Sequence, residues 1–229
     1  PLCDDVVAVS SGVAQDTMRL TGLPQERVHV VPNPVVTPMM QKLALEDPGH
    51  PWLSDSSTPV ILAAGRLTRQ KDFSTLIQAV QRVQSRTPVR LIIIGEGKER
   101  ERLQGLIAQV GLKGKVDLPG FVDNPYAYMF RAQLFALSSA WEGSPNVLTE
   151  AMALGVPVVA TDCPSGPREV LQNGRLGPLV PVGNVDLLAQ AILEVFSHPP
   201  ESSELKQAVS AYSSHGSARE YLRILLPND

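Results

Sequence analysis

The sequence, 229 residues long, predicts an α/β fold in which a parallel sheet carries helices on both faces. Three observations carry that prediction. Short apolar runs rich in β-branched residues recur along the chain, amphipathic stretches with helical spacing separate them, and most of the runs close on Gly, Pro or Ser. Strands covered on both faces read as continuous apolar runs, whereas strands with a wet face alternate.

The predicted strands are DVVAVS (5–10), VHVVP (28–32), PVILAAG (59–65), VRLIIIG (89–95), KVDLPG (115–120), QLFALSS (133–139), VPVVATD (156–162) and GPLVPV (177–182). Between them the spacing predicts helices over 72–85, 98–110, 125–132, 145–154, 167–172 and 185–196. In the first of these, Phe73, Leu76, Ile77, Val80 and Val83 form one stripe. Asp72 and Asn184 are expected N-caps, and Pro145 an expected first helical residue. The stretch from Pro32 to Pro59 holds six prolines and no sustained period, the composition of a linker. Residues 201–226 read as two helices with no following strand, a tail that must dock somewhere.

Composition excludes several classes. The chain is 43% hydrophobic and 19% charged, an ordinary globular balance with ample material for a core. Its 20 basic and 23 acidic residues contain no basic block, so no nucleic-acid partner is expected. Cys3 and Cys163 lie far apart without metal-ligand spacing, which predicts neither a disulfide framework nor a zinc site, and a reducing, cytoplasmic setting. No apolar run reaches membrane-spanning length. The opening PLCDDVVAVS has neither Met nor a signal-peptide layout and reads as a piece of a larger protein. Scattered histidines and the absence of GxSxG or Walker patterns leave nucleophile hydrolases and P-loop NTPases unsupported.

Ligands of parallel sheets bind beyond the carboxyl ends of the strands, so four loops hold the candidates. In GRLTRQKD, Gly65 permits close backbone approach, and Arg66 and Lys71 are either two cations for a diphosphate or two solvated charges. GEG at 95–97 lacks the third glycine of a dinucleotide fingerprint and reads as a tight turn. In GFVDN, Phe121 and Val122 either floor a flat base or enter the core. The fourth loop, SAWEGSPNVLTEA, leads through Gly143, Ser144 and Pro145 into a helix. The first N–H groups of that helix, on Asn146, Val147 and Leu148, are expected to be free for an anion. Glu142 ahead of that point and Glu150 inside the helix suit sugar hydroxyls, because a carboxylate offers two acceptor oxygens and no competing donor.

In order and spacing, GRLTRQKD, EGSPNVLTEAMALGVPVVATD, SGPREVL and GPLVPVGNVDLLAQAI resemble the C-terminal, donor-binding half of retaining glycosyltransferase family 4, the glycosyl transferases group 1. The pair Glu142 and Glu150 followed by AMALGVPVVATD is the most specific part. The resemblance implies a Rossmann-like domain of a GT-B fold with a residual piece of an N-terminal domain. Its division would be 1–31 for the end of the acceptor domain, 32–58 for the interdomain linker, 59–200 for the nucleotide-sugar domain and 201–229 for helices crossing back. It implies that Arg66 and Lys71 hold the donor diphosphate, Glu150 the ribose hydroxyls and Glu142, as catalytic residue, the donor sugar. Gly65 would line the donor site, Phe121 and Val122 would meet the base, and Gly143, Ser144, Asn146 and Val147 would touch sugar and phosphate. Glu142 is discussed in the family as a nucleophile, while internal return without a protein nucleophile is the prevailing view.

Where the family often has Gly-Phe-Gly, this chain has Gly143-Ser144-Pro145-Asn146, as in members that extend lipid-linked or surface glycans; this favours a UDP-hexose or UDP-N-acetylhexosamine donor. The implied partners are that nucleotide sugar and a glycan or lipid-linked acceptor, with no cofactor and no metal. The implied location is cytoplasmic, with the full-length protein at the inner face of a membrane as an open alternative. With most of an acceptor domain missing, the chain alone is expected to be inactive. A non-catalytic sugar-nucleotide-binding or interaction module and a nucleotide-sugar epimerase are the competing classes.

Overall fold

The structure, a computed structural model, describes residues 3–55 and 57–226. The outermost residues of the first and last predicted segments, and position 56, lie outside the described residues. A short N-terminal unit comes first: β1 (Val6–Ala8), α1 (Ser11–Thr21) and β2 (Val28–Val30), the two strands pairing in parallel. Helix α1 was not among the helices predicted from the pattern. Its start is chemically plain, since the Ser10 hydroxyl accepts from the Val13 N–H, and it stops at Gly22 in the left-handed conformation. Ala8, Ala14 and Val28 make a small core of their own.

The proline-rich stretch is not structureless. It carries α2 (Pro38–Ala44) and α3 (Pro51–Ser54), each with proline in its first turn and a side-chain cap, from Thr37 and His50 respectively. Met40 and Ala44 of α2 are buried in the main core. Helices of four and seven residues are too short to reveal a period, which is why composition alone reads here as linker.

The main unit follows as β3 (Val60–Ala64), α4 (Phe73–Gln84), β4 (Arg90–Ile94), α5 (Arg100–Gln109), β5 (Val116–Gly120), α6 (Pro125–Arg131), β6 (Leu134–Leu137), α7 (Asn146–Ala153), β7 (Val158–Thr161), α8 (Pro167–Val170), β8 (Leu179–Val180) and α9 (Val185–Ser197). Each observed strand lies inside its predicted run. Asp72 and Asn184 cap α4 and α9 as expected. Pro145, expected as the first helical residue, is instead the cap of α7, and the helix begins at Asn146.

All six strands of this sheet are parallel, in the order β5-β4-β3-β6-β7-β8. Successive residues of one strand point to opposite faces. In β3, Val60, Leu62 and Ala64 join one core while Ile61 and Ala63 join the other. One core is covered by α4, α5 and α9, the other by α2, α6, α7 and α10 (Ser202–Ala208), which packs on α7. Each fully buried aliphatic side chain contributes about 1.5–3 kcal/mol. The last helix, α11 (Ser214–Leu225), is tied to the start of the proline-rich stretch by Ser217, whose hydroxyl donates to the Pro32 carbonyl at 2.7 Å. Tyr221, Leu222 and Leu225 on that helix stay exposed. Among the described residues, no helix is long and apolar enough to cross a membrane.

Candidate functional site

The chain lays β3, β4 and β5 down to one side and then returns to start β6, β7 and β8 on the other. The connections diverge between β3 and β6, and such a divergence opens a crevice beyond the strand ends. The loop after β3 holds Gly65, Arg66 and Lys71; the loop after β6 holds Glu142. Two close backbone approaches shape the crevice. A Cβ on Gly95 would lie 2.1 Å from the Gly65 carbonyl oxygen, and one on Gly166 would lie 2.3 Å from the ring of Pro145. Both are glycines with positive φ, so the strand-end loops meet there only because no side chain intervenes.

At the centre, the Lys71 ammonium donates to Glu142 Oε1 at 2.5 Å. The pair is well covered, its side chains being 15% and 7% exposed. The Ser139 hydroxyl donates to the same Oε1 at 2.6 Å, and Ser139 is itself held by Thr161, whose hydroxyl donates to the Ser139 carbonyl at 2.6 Å. Ser138 donates to the Lys71 carbonyl. Both members of the ion pair are therefore oriented by buried hydroxyls at the ends of β6 and β7. Cys163 lies nearby, and burial foremost, then the Glu142 charge, pushes its thiol up to about 11. It is a packed residue and not a nucleophile at neutral pH.

Toward β4 and β5, a cavity of about 370 Å³ is lined by Gly65, Arg66, Phe121, Val122, Val147 and Glu150, among others. Phe121 is 76% exposed, which removes the core reading for it, while Val122 packs against the core. Arg66 is exposed and forms no ion pair among the described residues. Glu150 accepts a long hydrogen bond of 3.4 Å from the Tyr126 hydroxyl. Burial raises the Glu150 carboxyl above its ordinary range, partly offset by that bond. Six of the expected site residues thus share one cavity. Lys71, Glu142, Gly143, Ser144 and Asn146 lie outside its lining.

The start of α7 differs from expectation. The Asn146 N–H is bonded to the Ser144 carbonyl and the Leu148 N–H to the Pro145 carbonyl, so two of the three groups expected to be free are used within the turn. The tight bend at Ser144-Pro145 folds the chain back on itself and consumes them. The Asn146 side chain accepts from Asn33 of the proline-rich stretch, and the Gly143 carbonyl accepts from Ser10. Sequence reasoning missed Ser139, Tyr126, Asn33 and Ser10. Ser139 alone carried a signal, as a strand-end hydroxyl three residues before Glu142. Among the described residues no cluster of three His, Cys, Asp or Glu side chains is assembled to hold a metal ion.

A family model for the glycosyl transferases group 1 matches residues 50–212. The chain belongs to the group 1 glycosyltransferases. The Campylobacter jejuni enzyme named N-acetylgalactosamine-N,N'-diacetylbacillosaminyl-diphospho-undecaprenol 4-alpha-N-acetylgalactosaminyltransferase is 32% identical over 230 residues, 99% of this chain and 61% of its own length. This group 1 glycosyltransferase chain therefore spans about three fifths of that relative. Among solved structures, the apo form of the lipopolysaccharide outer core galactosyltransferase WaaB superposes with a TM-score of 0.80 at 24% identity, over 99% of this chain and 63% of that one. Anabaena HepE in complex with UDP superposes with a TM-score of 0.79 at 23% identity, over 97% of this chain and 64% of that one. These likenesses establish the fold as part of a GT-B glycosyltransferase, as the motif order implied.

Proposed function

We propose that this chain is the donor-binding half of a retaining glycosyltransferase that moves a hexose or N-acetylhexosamine from a UDP-sugar to a glycan or lipid-linked acceptor. The observation that carries the reading is the cavity between Phe121 and Glu150, whose lining residue Gly65 lies against the side chain of Lys71, the partner of Glu142. Its walls are mostly apolar, with two carboxylates, Glu150 and the Arg100-paired Glu96, and one exposed guanidinium, a combination that suits a base, a ribose and a diphosphate in sequence. Phe121 and Val122 meet the base, and Glu150 accepts from the ribose hydroxyls. Arg66 and Lys71 hold the diphosphate. Glu142 faces the sugar.

Lys71 carries three N–H donors, so it can keep Glu142 and still donate to a phosphate oxygen. When the glycosidic bond to the diphosphate breaks, negative charge grows on the leaving oxygen, and the two cations stabilise it where it forms. Glu142 Oε1 is occupied by Lys71 and Ser139, which holds the carboxylate still and leaves Oε2 toward the sugar. Internal return, with the acceptor hydroxyl attacking on the face the diphosphate leaves, fits a carboxylate that is tied down in this way. The relatives support the substrate class: the name of the C. jejuni enzyme describes N-acetylgalactosaminyl transfer and a diphospho-undecaprenol-linked sugar, and HepE is a UDP complex.

Calorimetry with UDP tests the reading. Binding is expected with and without EDTA, because Arg66 and Lys71 supply the positive charge a metal would otherwise bring. Loss of binding in EDTA would refute the metal-free part, and no binding in either condition would refute the donor site.

A further inference from the structure

We infer that Tyr126 is a positioning residue for the nucleotide: its hydroxyl, presented by the first turn of α6, aims the Glu150 carboxylate at the ribose and so makes the chain select ribonucleotides over deoxyribonucleotides. The inference rests on the donor-site reading above, which gives Glu150 the ribose hydroxyls. The Tyr126 hydroxyl donates to Glu150 Oε1 at 3.4 Å, and among the described residues that is the only side-chain hydrogen bond the carboxylate has. Pro125 and Glu150 line the donor cavity, whereas Tyr126 is outside the lining. It therefore acts on a ligand through Glu150 and not by touching it.

The tyrosine is itself well held. Asn124 caps α6 by accepting from the Ala127 N–H at 3.2 Å, and its amide donates to the Leu43 carbonyl and to Glu46, which ties the helix start to the end of α2. The Tyr126 ring packs against the core that Leu148 and Ala151 of α7 join. Helix α6 thus fixes the donor, and α7 the acceptor, of one contact. A glutamate side chain with one oxygen anchored loses most of its rotational freedom before a ligand arrives. Its second oxygen, Oε2, is left to accept from the ribose.

The same contact governs charge. Burial raises the Glu150 carboxyl, and the bond from Tyr126 pulls it back toward its ordinary value, since a donor favours the ionised form. Burial foremost, then the Glu150 charge, raises the Tyr126 hydroxyl above its ordinary value, so it stays a donor at neutral pH. The other charged groups of the cavity are Arg66, which follows β3, and Glu96, which follows β4 and has both oxygens occupied by Arg100 at 2.9 and 2.7 Å. Neither is hydrogen-bonded to Glu150. The tyrosine is the group that keeps this carboxylate an acceptor.

The test is calorimetry with UDP and with deoxyuridine diphosphate on the unmodified chain, Tyr126→Phe, Glu150→Gln and the double variant, from neutral to mildly acid pH. Tyr126→Phe should weaken UDP about fivefold, the loss of one ordinary hydrogen bond, and the deoxynucleotide less, so that selectivity between the two falls. In the Glu150→Gln background the same change should cost less than about twofold. The pH profile gives a third readout. Without the tyrosine hydroxyl the carboxyl takes up its proton at higher pH, so UDP affinity should begin to fall at higher pH than in the unmodified chain. If UDP binds the unmodified chain but Tyr126→Phe leaves it unchanged, weakens both nucleotides equally, costs as much in the Glu150→Gln background, or leaves the pH profile where it was, the positioning role is refuted and the donor reading stands. Failure of UDP to bind the unmodified chain refutes both.

Discussion

Glu150, half-buried in α7, carries a desolvation cost. Burial raises its carboxyl above the ordinary glutamate value, so between those two values the folded chain holds more proton than the unfolded one. Stability then falls as pH rises through that window, and the whole penalty is present above it. Glu150→Gln removes the charge and with it the penalty. The expected outcome is a melting temperature raised by a few degrees at neutral pH, a gain that fades as pH is lowered to the ordinary glutamate value, together with weaker UDP binding. Thermal melts across pH and UDP titration of the same variant check it; a melting temperature that falls at neutral pH would show that the Tyr126 contact outweighs desolvation. Lys71 and Glu142 are the contrasting case, since two buried charges at 2.5 Å satisfy each other before any ligand arrives.

At the scale of elements, α2 decides whether the proline-rich stretch is connector or core. Met40 is fully buried against the face that α6 also covers. Met40→Ala should cost about 2–5 kcal/mol, as deletion of a buried Met does, whereas a change in a solvated linker stays within about 0.5 kcal/mol. Urea denaturation separates the two. Helix α7 makes the complementary point: its buried face of Leu148, Ala151 and Met152 anchors the helix, and this leaves Asn146 and Glu150 on the side that meets other segments.

For the molecule as a whole, burial is uneven. The six-stranded sheet is buried on both faces, while the N-terminal pair of three-residue strands rests on three buried residues and a few hydrogen bonds to the main unit, from Ser10, Ser11 and Asn33. Regions with few buried apolar contacts open locally at lower free energy than the core. Amide hydrogen exchange is therefore expected to be faster in β1 and β2 by orders of magnitude than in β3, β4 and β6. Equal protection would mean that the two units form one cooperative block.

Fold class, strand positions and the family were legible in the sequence by itself, because they rest on local matters: apolar runs of strand length, a helical stripe such as Phe73 to Val83, caps at Asp72 and Asn184, and a motif whose order survives without coordinates. The loops that carry Arg66, Lys71 and Glu142, and the helix start that leads to Glu150, were legible for the same reason, since in a parallel sheet the strand ends dictate where chemistry can sit. Only the tertiary structure decided how those residues divide. It coupled Lys71 to Glu142, left Phe121 exposed at a cavity mouth, gave Glu150 a tyrosine partner, and turned Asn146 toward Asn33. Each of these contacts joins residues at least 24 positions apart or depends on what another element covers, and no local period or propensity encodes such a distance. The bend that consumes the first N–H groups of α7 and the short helices in the proline-rich stretch were decided there too. In both, a turn or a few residues of helix persist because neighbouring elements pack on them.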